Sequence, residues 1–545
     1  MAFLDLSARA ILRRLVLGGV LACALGSLAW WHHTQFLPVG DAAMGHFPTT
    51  IKYGLGLAHD RIYLLHLLQH GNADYAPLTY LVGGALAAIT NFAPWSYSLT
   101  LILFTVAALL AAYLLGRRLA GTSFAALLPV LALFAAPTFW SYATSFNLDI
   151  SMLVGALGIL AILLDEKERR SPLFFVGTVA LAGALALSKL TVLLCVLPPA
   201  AVMLLPPWNP AHRRRVFVVF AMLGFVSWWI APHFGTFSPE LSRVYRMPSD
   251  VGLGYWYYPV QLLYVNRQAP LVAGLIVLFF VRLARRNLDR VDLALLVFFL
   301  APFVFYSLAG HKTDRFLFPA YPAFSLWYAH SAFALRQIRW VRWLSAALLA
   351  TYTLGALWNS YLVFRQVPQN ITINRALPWI RGASSPSPQE QKVADALLAQ
   401  WQTEPRSCVA VQLSSALDSD RIFVLLLLRY PLLAAQARLT ITDLNGFGDR
   451  PFVSMAKCCA ARIWTIGTDW PTLDPGGYSR PQIGEPFATL VQRLDSCRGN
   501  YRRGQALRLD ESTLFAEFVT LRPEQSAINC LEAERRFLGD LRYSR

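Results

Sequence analysis

Eleven apolar runs follow one another between residues 76 and 364, at about 76–92, 97–116, 122–137, 148–164, 173–187, 190–205, 216–234, 269–283, 292–308, 316–334 and 341–364. Segments of this kind fold where each satisfies its own backbone hydrogen bonds, as a helix does inside a bilayer. Composition agrees, with 56% hydrophobic and only 14% charged residues among 545. A soluble domain carries about a quarter charged residues. The expected fold class is therefore a polytopic α-helical membrane protein. Several runs are shorter than the ~20 residues a straight span needs. Either polar neighbours lengthen these runs, or some are re-entrant.

Basic stretches punctuate the runs. "DEKERR" (165–170), "HRRRV" (212–216), "RLARRNLDR" (282–290) and "RQIRWVR" (336–342) read as cytoplasmic loops. This pattern accounts for the net charge of +17 without a nucleic-acid partner. Alternation then puts 32–75, 235–268, 309–315, the Ser188–Lys189 turn and everything after about 365 on the opposite face. The N-terminal "ARAILRRLVLGGVLACALGSLAWW" resembles a signal peptide but reads better as an uncleaved first span ending in the Trp30–Trp31 interfacial pair. Counting it gives twelve spans, an even number. A cytoplasmic N-terminus and an external C-terminus require an odd one. "GRRLAG" (116–121) is the ambiguous loop, and the expected count is 11 to 13 spans.

Residues 1–365 thus form a transmembrane domain. From 366 to 545 the texture changes. "QKVADALLAQWQ" is an amphipathic helix, and "SCVAVQL", "ARLTITDL" and "ARIWTIGT" alternate like strands. This predicts a soluble, periplasmic α/β domain. It holds five of the seven cysteines, Cys408, Cys458, Cys459, Cys497 and Cys530. An oxidising compartment would allow one or two disulfides of undetermined connectivity.

Ionisable residues beside a bilayer are costly unless paired or wet, so each is a candidate for function. Asp41 follows Gly40 just after the first span. It reads as a general base or as the N-cap of a surface helix. Lys189, between two apolar runs, either snorkels or places a cation beside a phosphate. In "HKTDRFLFPAYP" (311–322), Lys312 and Arg315 share a helical face, Asp314 can orient either one, and His311 precedes them. An arginine fork grips phosphate oxygens in pairs, whereas lysine offers a point charge. Pro319 and Pro322 would delimit the next span. Asp149 in "SFNLDISML" is an N-cap or a site residue, and Asp74 opens "DYAPLTYLV" (74–82), which starts the next span. His66 and His70 have i, i+4 spacing, but a surface helix explains them better than a metal. Tyr257 and Tyr258, in "GLGYWYYPVQLLY", line a sugar or lipid groove or belong to an interfacial belt.

The order of these motifs resembles the GT-C superfamily of membrane glycosyltransferases. The first-loop Asp, "DYAPLTYLV", "NLDISMLVGALGIL", "LSKLTVLLCVLPP", "YWYYPVQLL" and "HKTDRFLFPAYP" carry the resemblance over about residues 10–365. It is most similar to bacterial relatives of the protein O-mannosyltransferases and to the aminoarabinose transferase of lipid A. The His-Lys-x-x-Arg-Phe segment also resembles dolichol-phosphate mannosyltransferases. Two departures stand out: Tyr75-Ala76-Pro77 replaces a Lys-Pro-Pro, and Asp41 lacks an acidic neighbour. The resemblance implies an inverting transfer of a hexosyl or pentosyl group from a polyprenyl-phosphate donor to a glycan, lipid or protein acceptor. The site would face outward from a bacterial inner membrane. Asp41 is then the base, and Lys189, Lys312 and Arg315 bind the donor phosphate. A divalent cation (Mg or Mn) is compatible with the scheme, though no second carboxylate demands one. Rival readings are a flippase for lipid-linked sugars, an O-antigen polymerase or ligase, and an assembly subunit with a dead membrane site.

Overall fold

The computed structural model describes residues 2–35, 46–70, 76–121, 124–144, 148–165, 171–206, 211–233, 254–309, 314–365, 387–403, 409–413, 419–429, 431, 439–443, 462–467, 501–509 and 514–520. The chain forms two compact units. One comprises Met1–Phe36, Gly56–Ala87 and Trp95–Gly382, and the other Leu37–Leu55, Ala88–Pro94 and Ala383–Arg545.

The first unit is helical. It opens with α1 (Ala2–Gln35); α2 (Phe47–His59) straddles the boundary between the units, and α3 (Arg61–His70) follows. Asp60 accepts from the backbone N–H groups of Ile62 and Tyr63, capping α3. Next come α4 (Leu78–Ile89), α5 (Trp95–Ala120), α6 (Leu128–Ala135), α7 (Pro137–Thr144), α8 (Asp149–Leu163), α9 (Pro172–Ala186), α10 (Thr191–Leu204) and α11 (His212–Ile230). A short helix α12 (Tyr257–Val260) runs into a π-helical turn (Gln261–Val265). Then follow α13 (Ala269–Ala284), α14 (Arg290–Leu308), α15 (Asp314–Leu317), α16 (Pro322–Ala334) and α17 (Arg339–Phe364). The apolar runs became helices nearly residue for residue. Prolines mark the starts of α7, α9, α13 and α16, where a missing N–H costs nothing. Pro319 and Pro322 do delimit α16, with a 3-10 turn (Phe318–Ala320) before it.

Among the described residues, α5, α14 and α17 are long and apolar enough to cross a membrane. Two bent pairs, Phe124–Ala135 with Pro137–Thr144 and Tyr257–Val265 with Ala269–Ala284, bring the number to five if each is one span. α4, α8, α9 and α10 are shorter apolar helices. α8 is buried on nearly every side. α9 instead turns Leu173, Val176 and Leu181 outward, the pattern of a lipid-facing helix. The chain is a multi-pass membrane protein.

Hydrogen bonds sort the helix termini into two ends of the bundle. Asp149, opening α8, meets Lys189 in the turn before α10. The other end of α8 carries Asp165, which pairs with Arg118 near the end of α5 and Arg214 at the start of α11. The ambiguous 116–121 loop therefore belongs with the basic loops. α4 starts at the Lys189 end, because the Leu78 N–H donates to Leu187 O at 3.0 Å. α5 must start at that end too, since it finishes at Asp165. The 76–92 run thus leaves and returns to one end without crossing, and its twelve-residue helix is too short to span. Removing it from the twelve expected spans leaves an odd number.

The second unit holds α18 (Pro388–Thr403), α19 (Ser419–Arg429) and five strands. These are β1 (Val409–Leu413), β2 (Leu439–Asp443), β3 (Arg462–Gly467), β4 (Tyr501–Arg508) and β5 (Leu514–Thr520). They form one mixed sheet in the order β2-β1-β3-β5-β4. β1 pairs in parallel with β2 and β3, and β5 runs antiparallel to β3 and β4. All five cysteines of this region lie outside the described residues.

Candidate functional site

The Lys189 end is built by close packing around one glycine. A Cβ on Gly155, one turn and a half into α8, would meet Ser188 Oγ at 2.3 Å and Leu185 O at 2.7 Å. Only glycine lets the α9–α10 turn sit this close to α8. The turn delivers Lys189 Nζ to Asp149 Oδ1 at 2.8 Å, and both residues are buried. Lys189 therefore does not snorkel to water. Nor is Asp149 an N-cap: Leu148 holds that position, and the Asp149 side chain goes to the lysine. Thr79 Oγ1 and Ser151 Oγ, 2.6 Å apart, pin α4 to α8 one turn away.

Arg315 belongs to the same end. It is half-buried on α15, with its guanidinium carbon 5.7 Å from the Phe316 ring centre. Phe316 stacks on Tyr306 at 4.8 Å, and Phe318 lies 4.9 Å from Tyr142. The 3-10 turn after α15 packs against α8 and α10, the helices that bracket Asp149 and Lys189. Touching elements thus carry three of the expected site residues, Asp149, Lys189 and Arg315.

Tyr257 and Tyr258 are buried, edge to face at 5.1 Å. The exposed rings of this region are Tyr255, Trp256 and Tyr264, an interfacial belt. Asp41, Asp74, His311 and Lys312 lie outside the described residues, as does the side chain of Asp314. His66 sits on α3 beside the capped Asp60 turn.

One group of potential metal ligands exists among the described residues. Asp289, Asp292 and His330 bring donor atoms within 4.8 Å of one another. It lies at the Asp165 end and is already engaged. Arg282 Nη1 reaches Asp292 Oδ1 at 2.5 Å, Trp327 donates to the same oxygen at 2.8 Å, and His330 meets Asp289 Oδ2 at 2.9 Å. Asp289 also caps α14 in a capping box with Asp292. Burial opposes the Asp289 charge. His330 and Arg282 nonetheless outweigh it and hold the carboxyl below the ordinary carboxylate range. This is a helix-anchoring knot and offers a cation no vacancy at a site of chemistry.

Sequence reasoning quoted Asp149 and Lys189 separately and missed their pairing. It also missed Arg267, whose backbone has φ 56°. A non-glycine residue in the left-handed region had no sequence signal there.

The profile of the Alg9-like mannosyltransferase family matches residues 253–407, a stretch that includes the α15 segment. In fold, the chain is similar to ArnT from Cupriavidus metallidurans bound to undecaprenyl phosphate. The TM-score is 0.51 at 14% identity, covering 92% of this chain and 97% of that one. The apo state of the same protein gives a TM-score of 0.52 at 15% identity, with equal coverage. No curated protein matches in sequence. The chain resembles the GT-C membrane glycosyltransferases both in a sequence stretch and in its fold.

Proposed function

We propose that this protein is an inverting glycosyltransferase that moves a sugar from a polyprenyl-phosphate donor to a glycan, lipid or protein acceptor. The site is the Lys189 end of the bundle, which faces the periplasm in this reading. The observation that carries it is the buried Asp149–Lys189 pair on elements that also touch the Arg315 segment. A buried ion pair is a weak stability device, because desolvation offsets its attraction. As a held cation it suits a different purpose. Polyprenyl phosphate leaves with the electron pair of the sugar C–O bond and needs no proton, only fixed positive charge in a dry site. Lys189, Lys312 and Arg315 supply that charge, and Asp149 orients Lys189. The acceptor hydroxyl or amine attacks the anomeric carbon from the opposite face and gives its proton to Asp41. The undecaprenyl phosphate bound to the similar ArnT supports a lipid phosphate as the leaving group. The second unit, outside the membrane in this reading, binds the acceptor.

The test is sugar release from a panel of polyprenyl-phosphate donors by purified protein in lipid, with a membrane extract as acceptor source. Wild type and Asp41→Asn are run together. Donor-specific turnover that disappears in Asp41→Asn is the expected result. Turnover that survives keeps the transferase and moves the base elsewhere. No turnover with any donor, when the protein is folded and the extract supports a control transferase, overturns the reading.

A further inference from the structure

The segment "VNRQAPL" (265–271) plays no part in the scheme above, yet several side-chain hydrogen bonds hold its turn. The chain bends by 101° here, between the π-helical turn and α13. Asn266 and Gln268 are buried. Asn266 Oδ1 accepts from the Thr138 N–H at 3.2 Å, and Asn266 Nδ2 donates to Gln261 O at 2.9 Å. Gln268 Nε2 donates to Asn266 O at 3.0 Å, and Tyr352 OH donates to Arg267 O at 3.0 Å. Between these two anchored residues Arg267 sits at φ 56°, a conformation that favours glycine. Arg267 is the left-handed cap that ends the π-helical turn, its N–H donating to Tyr264 O at 3.3 Å and the Gln268 N–H to Leu262 O at 3.2 Å.

The guanidinium has five N–H donors. Among the described residues it makes one hydrogen bond, from Nη1 to Asn359 Oδ1 at a long 3.4 Å, and no carboxylate reaches it. Asn359 is fully buried and anchored by its own bond to Phe134 O at 3.2 Å. Arg267 is half-buried. Its depth is marked by the exposed rings of Tyr255, Trp256 and Tyr264, a belt of the kind that sits at lipid headgroup level. An arginine with spare donors, no acidic partner and headgroup depth matches a phosphate.

We propose that Arg267 is a lipid-phosphate binding residue, held ready by the strained turn. Two sources share that chemistry: the phosphate monoester of a polyprenyl donor, which rests on the function proposed above, and the phosphodiester of a bulk phospholipid. Either is gripped by the unused face of the guanidinium, with Asn359 fixing its direction.

The test reads binding, so failure of sugar transfer does not bear on it. Full-length protein in detergent is titrated separately with undecaprenyl phosphate, phosphatidylglycerol and uncharged undecaprenol, and bound lipid is counted by native mass spectrometry. Arg267→Gly relieves the backbone strain while deleting the fork. The expected result is binding of a phosphate lipid weakened roughly tenfold or more, the loss of a charge-assisted contact. Undecaprenol binding stays unchanged, and the melting temperature is equal or higher. Loss for undecaprenyl phosphate alone assigns the donor, loss for phosphatidylglycerol alone assigns the headgroup, and loss for both assigns a general lipid-phosphate site. Arg267→Lys, which keeps charge and strain but not the fork, falls between. If Arg267→Gly melts early, Arg267→Asn, which tolerates the same backbone, is measured instead. Unchanged binding of both phosphate lipids in a folded variant, or an equal loss for undecaprenol, overturns the proposal.

Discussion

The two ends of the bundle use the same residue types in opposite ways. At the Asp165 end, arginine donors go to backbone carbonyls that helix termini leave open. Arg215 donates to Leu163 O at 2.8 Å and to Met203 O at 3.4 Å, closing α8 and α10. Arg290 donates to Leu205 O at 2.7 Å and to Pro206 O, and Arg214 to Asp165 O. Arg282 spends its donors on Asn287 O and Asp292. These cations are structural caps. At the Lys189 end, the lysine charge meets a carboxylate inside the bundle, Arg315 lies by an aromatic ring and Arg267 by an amide. A count of positive charge would mark the Asp165 end as the binding surface. The donors at the Asp165 end are already committed to helix termini, so a count of charge alone does not mark a binding surface.

The largest effect should come from splitting the buried pair. Lys189→Met strands the Asp149 charge, and loss of one partner from a buried pair costs about 3–5 kcal/mol. Thermal denaturation in detergent should show it, together with loss of sugar release. Asp149→Asn with Lys189→Met removes both charges and should recover most of the stability but none of the release. Recovered release would make this pair a strut like those at the opposite end, and the contrast between the ends would collapse.

Overpacking gives the next largest effect and sharpens the contrast. Gly155→Ala drives a methyl into Ser188 and Leu185, displacing the turn that presents Lys189. Gly116→Ala makes a similar clash, 2.3 Å from Ala126 O, at the Asp165 end. Each should cost about 1–3 kcal/mol. At matched melting temperature, only Gly155→Ala should raise KM for the donor or lower kcat. Equal kinetic effects would mean that the turn geometry around Lys189 is not special.

These contrasts show what the sequence could reveal. The run at 173–187 became Pro172–Ala186, and the run at 190–205 became Thr191–Leu204. Apolar patterning specifies such helices because the bilayer leaves few alternatives. Whether a run crosses was not legible: α4 is as apolar as a span, and only the Leu78–Leu187 bond shows where it starts. Lys189 and Asp149 each stood out as costly near lipid. Their partnership spans forty residues and depends on the missing Cβ at Gly155, which no local pattern announces. The turn at Arg267 was hidden for a related reason, since Thr138 and Tyr352, far along the chain, help to hold it.

An effect of similar size is expected from the Asp165 end itself. Arg214→Gln removes the ion pair to Asp165, seen at 3.1 Å on a buried side chain. Hydrogen bonds to charged groups contribute about 1.5–3 kcal/mol. The melting temperature should fall while KM for the donor, measured below that temperature, stays put. A KM change would place this end in the binding machinery after all.

The smallest effect is a pH dependence, and its sign follows from Asp289. Its carboxyl is half-exposed and faces Arg282, Asp292 and His330, with Asn287 in the same turn. Its folded pKa lies below the unfolded value of about 3.9. A depressed carboxyl contributes stability that is fully present above the unfolded pKa and disappears as pH falls through the folded one. Wild type should therefore melt above Asp289→Asn at pH 7, and the gap should narrow as pH is lowered below about 4. Exposure and salt screening keep the gap small, and added salt should shrink it further at pH 7. Sugar release measured at pH 7 should be unaffected by the substitution. A gap that widened on acidification would mean that the knot holds Asp289 protonated, reversing the expected sign.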